Sequence, residues 1–240
     1  MTMERSKLWI KILILLVFAG GLIGFFALGG DQWLTLENLK AQRNTLLAYS
    51  EQHYALMLAA AVLIYMAFIA LSIPGAVVLS LAMGFIFGRW AGTLAIVVAA
   101  TLGATLVFVA ARYLFADAVQ RRLRGVAKKF SDGFRENAFN YMLFLRLVPV
   151  FPFWLINLIA AVMPITLRTF VVATAVGIIP GTFVFANLGQ SLGRIDALGE
   201  LLSLETLGAF LLLGVFSLIP VFVKKMRIKK VPVDSLRNST

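Results

Sequence analysis

Arg146 stands in the run Leu143-Phe-Leu-Arg-Leu-Val-Pro149, with apolar residues on both sides. A guanidinium at membrane depth is costly and is expected to line a cavity or hold a partner. Its planar fork can take two oxygens of a phosphate. Pro149 and Pro152 follow, then Asn157. Each proline lacks a backbone donor and crowds the preceding helical turn. Nearby carbonyls therefore lose their helical donors, and with the Asn157 amide they can face a polar path. Two readings are open at Arg146: guidance of a phosphate-bearing substrate, or snorkelling to headgroup level beside a loop. At Asn157 they are a polar path, or satisfaction of backbone exposed at the break.

A matching set occurs earlier. Pro74-Gly75 interrupts an apolar stretch, and Gly84 and Gly88 follow in Met83-Gly-Phe-Ile-Phe-Gly88. Gly84 and Gly88 suit tight crossing against a neighbouring helix. Arg89 and Trp90 read as an interfacial anchor, with substrate capture as the sharper alternative. Gly177, Pro180 and Gly181 predict a kink in a later span. Arg112 and Arg168 flank membrane segments and read as topology or headgroup contacts, or as the polar ends of one route.

Other chemistries lack their residues. There are no cysteines, so disulfides, thiolate nucleophiles and Cys-ligated metals are excluded. His53 is the only histidine. Glu4, Asp31, Glu37, Asp117, Glu136 and Asp196 do not pair within one apolar element. No glycine run carries the Lys-Ser/Thr ending of a phosphate loop. The expectation is a protein that is not an enzyme and uses no cofactor or metal.

The elements that must position these residues follow from composition. The 240 residues are 61% hydrophobic and 14% charged, where a soluble domain carries about 25% charged residues. Apolar runs of about 20 residues match the hydrocarbon thickness. The formal net charge of +11 gathers in clusters beside those runs. Arg121, Arg122 and Arg124 with Lys128 and Lys129 form one, on an amphipathic stretch at 115–137 that can lie in the interface. Residues 224–230 hold another. Topology and contact with anionic headgroups explain these clusters better than nucleic acid does.

The expected fold is an all-α polytopic membrane protein. It is read as an inverted repeat of two re-entrant helical hairpins, each followed by a transmembrane helix, plus N- and C-terminal transmembrane helices. The anchor occupies 1–30 and a polar or amphipathic linker 31–54. The membrane domain covers 55–193, with re-entrant regions near 55–90 and 139–163. A linker and last span fill 194–223, and 224–240 is a basic tail. Placing both termini inside puts every basic cluster on the cytoplasmic face. Two true spans in 55–90 would give the same sides, so charge alone leaves the first hairpin open.

The order Pro74-Gly75, Gly84-Phe-Ile-Phe-Gly88, Arg146-Leu-Val-Pro149 with Pro152 and Asn157, then Gly177-Ile-Ile-Pro-Gly-Thr182 resembles the DedA superfamily, also called the SNARE-associated Golgi protein or VTT-domain family. The likeness covers roughly residues 64–193 and is nearest to its small bacterial and Golgi-type branch. Where many members carry Gly after the Asn of the second loop, this chain has Ala160-Ala161. The resemblance implies two oppositely inserted re-entrant loops. It also implies functions such as phospholipid scrambling, transport of a polyprenyl phosphate carrier, or proton-dependent membrane homeostasis. A clear acidic residue inside a membrane segment, which proton coupling would favour, is missing.

The resulting expectation is a translocase or scramblase-like protein for a phosphate-bearing lipid, in a bacterial inner membrane. Its partners are membrane lipids, anionic or phosphate-bearing, with a homo-oligomer open. The alternatives are a small-solute or ion transporter of the same geometry and a non-transporting membrane scaffold.

Overall fold

The computed structural model describes residues 2–33, 35, 38, 41–120, 126–147 and 151–194. These residues are helical throughout, apart from turns and breaks. In chain order the helices are α1 (Thr2–Ala27), α2 (Gly30–Trp33), α3 (Arg43–Gln52), α4 (Tyr54–Ala70), α5 (Ala76–Gln120), α6 (Val126–Leu147), α7 (Phe153–Val162) and α8 (Leu167–Arg194). A helix satisfies its own backbone, which is what an apolar segment needs in lipid.

Among the described residues, three stretches are long and apolar enough to cross a membrane: Trp9–Ala27, Ala76–Phe115 and Leu167–Ser191. A fourth candidate is the pair Asn44–Gln52 and Tyr54–Ala70, bent by 117°. Forty residues would reach about 60 Å at 1.5 Å per residue, twice a ~30 Å hydrocarbon core. The excess is resolved at Gly88, whose φ of 78° and ψ of 171° divide α5 into an arm at 76–87 and a long helix at 89–120. That backbone lies outside the region open to ordinary side chains, so glycine fits the position.

Leu71–Gly75 separates α4 from α5. Ser72 has φ 54° and Gly75 φ 114°, with Pro74 between them. In the second half of the chain, α7 is a ten-residue apolar helix with Pro152 at its N-cap. Asn137, at φ −136° and ψ 41°, separates the amphipathic start of α6 from its apolar end. The expected amphipathic stretch at 115–137 is therefore divided between the end of α5 and the start of α6. Where a kink is expected at Pro180, α8 is one continuous helix with Pro180 inside it.

The core lies between α5 and α8, with α4 and α7 against them. Ile96, Ala99, Ala104, Phe108, Met142, Ala160, Ala161, Phe170, Ala173 and Ala186 are buried there. Small side chains let these backbones approach, the usual basis of helix packing in lipid. α1 has none of its apolar stretch buried, which is the pattern of a helix whose surface faces acyl chains. It meets the rest through Phe25 on Phe68, rings 5.1 Å apart, and through Lys11 Nζ, 3.4 Å from the Leu114 carbonyl. The expected last span and tail at 195–240 lie outside the described residues.

Candidate functional site

The polar centre of the molecule is built across the second break. Arg146 lies in the last turn of α6, where the helix dipole favours a cation. Its Nη2 donates to Asn157 Oδ1 at 2.6 Å and to Thr174 Oγ1 at 3.0 Å. Its Nε lies 3.2 Å from the same threonine oxygen. The guanidinium carbon stands 4.3 Å from the centre of the Phe153 ring and 5.5 Å from that of Phe170. Asn157 on α7 and Thr174 on α8 are both 0% exposed. One arginine thus ties three helices together in an aromatic setting. Gly177 lets α8 come this close: a Cβ there would stand 2.6 Å from Arg146 Cβ.

The site is polar beyond what its own bonds consume. Arg146 Nη1 and Asn157 Nδ2 are enclosed and have no hydrogen-bond partner among the described residues. Arg146 is the only charged residue between Glu136 and Arg168, so no carboxylate in that stretch neutralises it. A buried donor left unpaired costs about 1–3 kcal/mol, and more when charged. The site therefore holds one positive charge and two enclosed donor atoms that the described residues leave unbonded.

The first break is held differently. Tyr65 Oη on α4 and Ser80 Oγ on α5 are 2.9 Å apart, and Ser80 Oγ donates to the Ala76 carbonyl at 2.8 Å. Both side chains are buried, and no charge is present. Gly84 lies directly against the backbone of Ala186, where a Cβ would collide with the Ala186 carbonyl. Beyond the Gly88 kink, Arg89 N donates to Gln190 Oε1 at 2.7 Å, and Arg89 Nη1 is 3.4 Å from Asn187 Oδ1. Arg89 therefore belongs to a separate cluster. From Thr174 to Asn187 along α8 is about 20 Å at 1.5 Å per residue.

Arg168 is exposed in the first turn of α8, away from the bonds made by Arg146. Trp90 is exposed beside Phe183, with ring centres 5.2 Å apart. Lys128 and Lys129 lie on α6. Pro149, Arg121, Arg122 and Arg124 lie outside the described residues. An open depression of about 360 Å³, lined by Asn137, Asn140, Pro164, Thr166 and Thr169 among others, sits where the α6 kink meets the α7–α8 turn. Arg146 does not line it.

Four residues escaped the sequence reading in these roles. Thr174 looks like any threonine in an apolar helix. Asn187 and Gln190 lie near the carboxyl end of α8. Arg112, read as a flanking charge, instead points inward: Nε donates to the Ala161 carbonyl at 2.9 Å, Nη1 to Ile165 at 2.7 Å and Nη2 to Met163 at 2.8 Å. It closes the carboxyl end of α7, where the last carbonyls have no helical donor. The one available signal was an arginine inside a long apolar run, the feature that singled out Arg146.

Residues 73–191 match the VTT domain. The "Transmembrane protein 41 homolog" of Dictyostelium discoideum is 30% identical over 192 residues, covering 79% of this chain and 58% of that protein. The chain thus spans less than two thirds of that relative's length. "Transmembrane protein 41B" of Danio rerio is 30% identical over 198 residues, covering 81% of this chain and 70% of that protein. The "Transmembrane protein 41 homolog" of Caenorhabditis elegans is 23% identical over 235 residues, covering 92% and 96%. No solved structure matches the chain significantly.

Proposed function

This chain belongs to the VTT-domain family of the DedA superfamily, and on that premise we propose that it moves a phosphate-bearing lipid between the two leaflets of its membrane, contributing to membrane homeostasis. One observation carries the reading: Arg146 Nη1 and Asn157 Nδ2 are enclosed donors with no hydrogen-bond partner among the described residues. A phosphate presents several acceptor oxygens and a negative charge to such a site. The headgroup crosses at the second break while the acyl chains stay in lipid. No covalent step is involved, and passive exchange needs no energy source.

The finer architecture belongs to the same proposal. We read 54–87 and 138–162 as re-entrant arms, inserted from opposite faces and each followed by a long helix. Several correspondences support this. Each break is bridged by a polar side-chain pair, Tyr65 with Ser80 and Arg146 with Asn157. Each long helix carries a glycine against the preceding arm, Gly103 beside Met66 and Gly177 beside Arg146. Each long helix also reaches the junction of the other half: Gln190 takes Arg89 N, and Arg112 takes the carbonyls at 161–165. Inverted repeats with sites in interrupted helices are a recurring transporter plan.

For compartment we propose a bacterial-type inner membrane with both termini cytoplasmic. The placement of basic clusters supports the orientation, while the three relatives named above are eukaryotic. The test is leaflet exchange in reconstituted vesicles, with labelled glycerophospholipid and labelled polyprenyl phosphate run in parallel. Purified protein is expected to accelerate exchange of at least one, and Arg146→Ala to return it to the protein-free rate while remaining folded. Acceleration of neither lipid by folded wild type rejects the proposal.

A further inference from the structure

The Arg146 site is backed by a second arginine on another helix. Arg112 on α5 reaches across to α7 and donates to the carbonyls of Ala161, Met163 and Ile165, with Ala160 at 3.5 Å. α7 has only ten residues, too few to hold itself without tertiary support. Asn157 sits mid-way along it. Arg112 and Arg146 therefore grip the same short helix, one at its carboxyl end and one at its centre.

A second connection runs through rings. The Arg112 guanidinium carbon lies 4.2 Å from the centre of the Phe108 ring. Phe108 stacks on Phe170 with centres 4.2 Å apart and planes 23° from parallel. Phe170 in turn lies 5.5 Å from the Arg146 guanidinium carbon, which faces Phe153 on its nearer contact. Phe108 and Phe170 are 1% and 0% exposed, so neither ring has slack to absorb a shift. Cation–ring contacts strengthen when desolvated. Displacing Arg112 thus disturbs both the helix that carries Asn157 and the ring beside Arg146.

We propose that Arg112 is a positioning residue for the Arg146 pocket, acting through the carboxyl end of α7 and through the Phe108–Phe170 stack. It touches no substrate. It sets the distance and angle between Arg146 and Asn157, and so the aim of their two free donors. This inference rests on the lipid-exchange reading, and its test separates the two. Arg112→Lys keeps the charge but cannot span several carbonyls with a planar fork.

The full-length protein is reconstituted and leaflet exchange is measured with Arg112→Lys in the wild-type and Arg146→Lys backgrounds. The expected result is a slowing of about tenfold in wild type and under about twofold in Arg146→Lys, a non-additivity typical of groups acting through one another. Equal slowing in both backgrounds overturns the proposal, since a residue that only holds the fold acts independently of Arg146. Phe108→Leu reads the ring connection by the same comparison and stands in if Arg112→Lys does not fold. If wild type exchanges neither lipid, the lipid reading fails and amide deuterium exchange over 153–162 decides the positioning claim. Faster exchange reaching Asn157 in Arg112→Lys supports it, and a change confined to 160–162 overturns it.

Discussion

The two proline-containing breaks are bridged in the same manner by opposite chemistry. At the first, Tyr65 and Ser80 close on each other and Ser80 Oγ donates a hydrogen bond to the Ala76 carbonyl. At the second, Arg146 spends Nε and Nη2 on Thr174 and Asn157, and two enclosed donors have no partner among the described residues. The first bridge is neutral and complete. The second is cationic and incomplete. A neutral hydrogen bond serves when the task is to hold two helices, since its loss costs about 1 kcal/mol. A buried guanidinium is a poor choice for that task alone, because desolvating it offsets much of what it gains. Under the proposed function, the first break serves architecture and the second handles the ligand.

The largest expected effect breaks the architectural side. Gly84→Val drives a branched side chain into the Ala186 backbone, which cannot turn aside as a side chain can. Overpacking costs about 1–3 kcal/mol in ordinary cores and more against backbone, so the variant is expected to lose monodispersity in detergent. Gly177→Ala meets the Arg146 stem instead. It is expected to keep a size-exclusion profile like wild type while slowing lipid exchange.

Next comes Arg146→Ala, which removes the charge together with the N–H groups that donate to Thr174 Oγ1 and Asn157 Oδ1. Truncating one member of a buried polar network costs about 2–4 kcal/mol of stability. A fall in melting temperature accompanied by loss of exchange is the expected result, and exchange at the wild-type rate would move the path elsewhere. Asn157→Asp is sharper. It gives the guanidinium an internal carboxylate and so satisfies the charge without a ligand. Thermal unfolding is expected to hold or rise, while exchange falls about tenfold, or ~1.4 kcal/mol of barrier.

The smallest effect belongs to the first bridge. Tyr65→Phe deletes one hydroxyl and leaves Ser80 bonded to Ala76. A stability loss of about 1 kcal/mol is expected, read by thermal unfolding, with exchange within about twofold of wild type. A larger exchange defect would show that the two breaks share the ligand task.

Much of this division is written in local sequence. Prolines and glycines mark chain interruptions because of what they do to their own turn, so Pro74-Gly75 and Pro152 were readable one by one, while Gly88, read as a site of tight crossing, turns the chain instead. Arg146 stood out because an arginine amid apolar residues needs a reason. Its partners were harder to find. Asn157 is close in sequence, but Thr174 meets Arg146 only when α8 folds back, and nothing local distinguishes it from Thr169 or Thr182. Arg112 finds its carbonyls 48 to 53 residues away, and a flanking arginine on a long apolar helix looks the same whether it points to headgroups or to a neighbouring helix end. The kink expected at Pro180 follows from proline's missing donor. α8 nevertheless runs through Pro180 as one helix.

The most direct measurement compares wild type, Asn157→Asp and Tyr65→Phe in the same vesicle preparation, following leaflet exchange of labelled phosphate lipid with each protein's melting temperature taken alongside. If the free donors at the second break carry the headgroup, Asn157→Asp is folded and slow while Tyr65→Phe is slightly less stable and near the wild-type rate. A folded Asn157→Asp that exchanges lipid as fast as wild type would contradict the account.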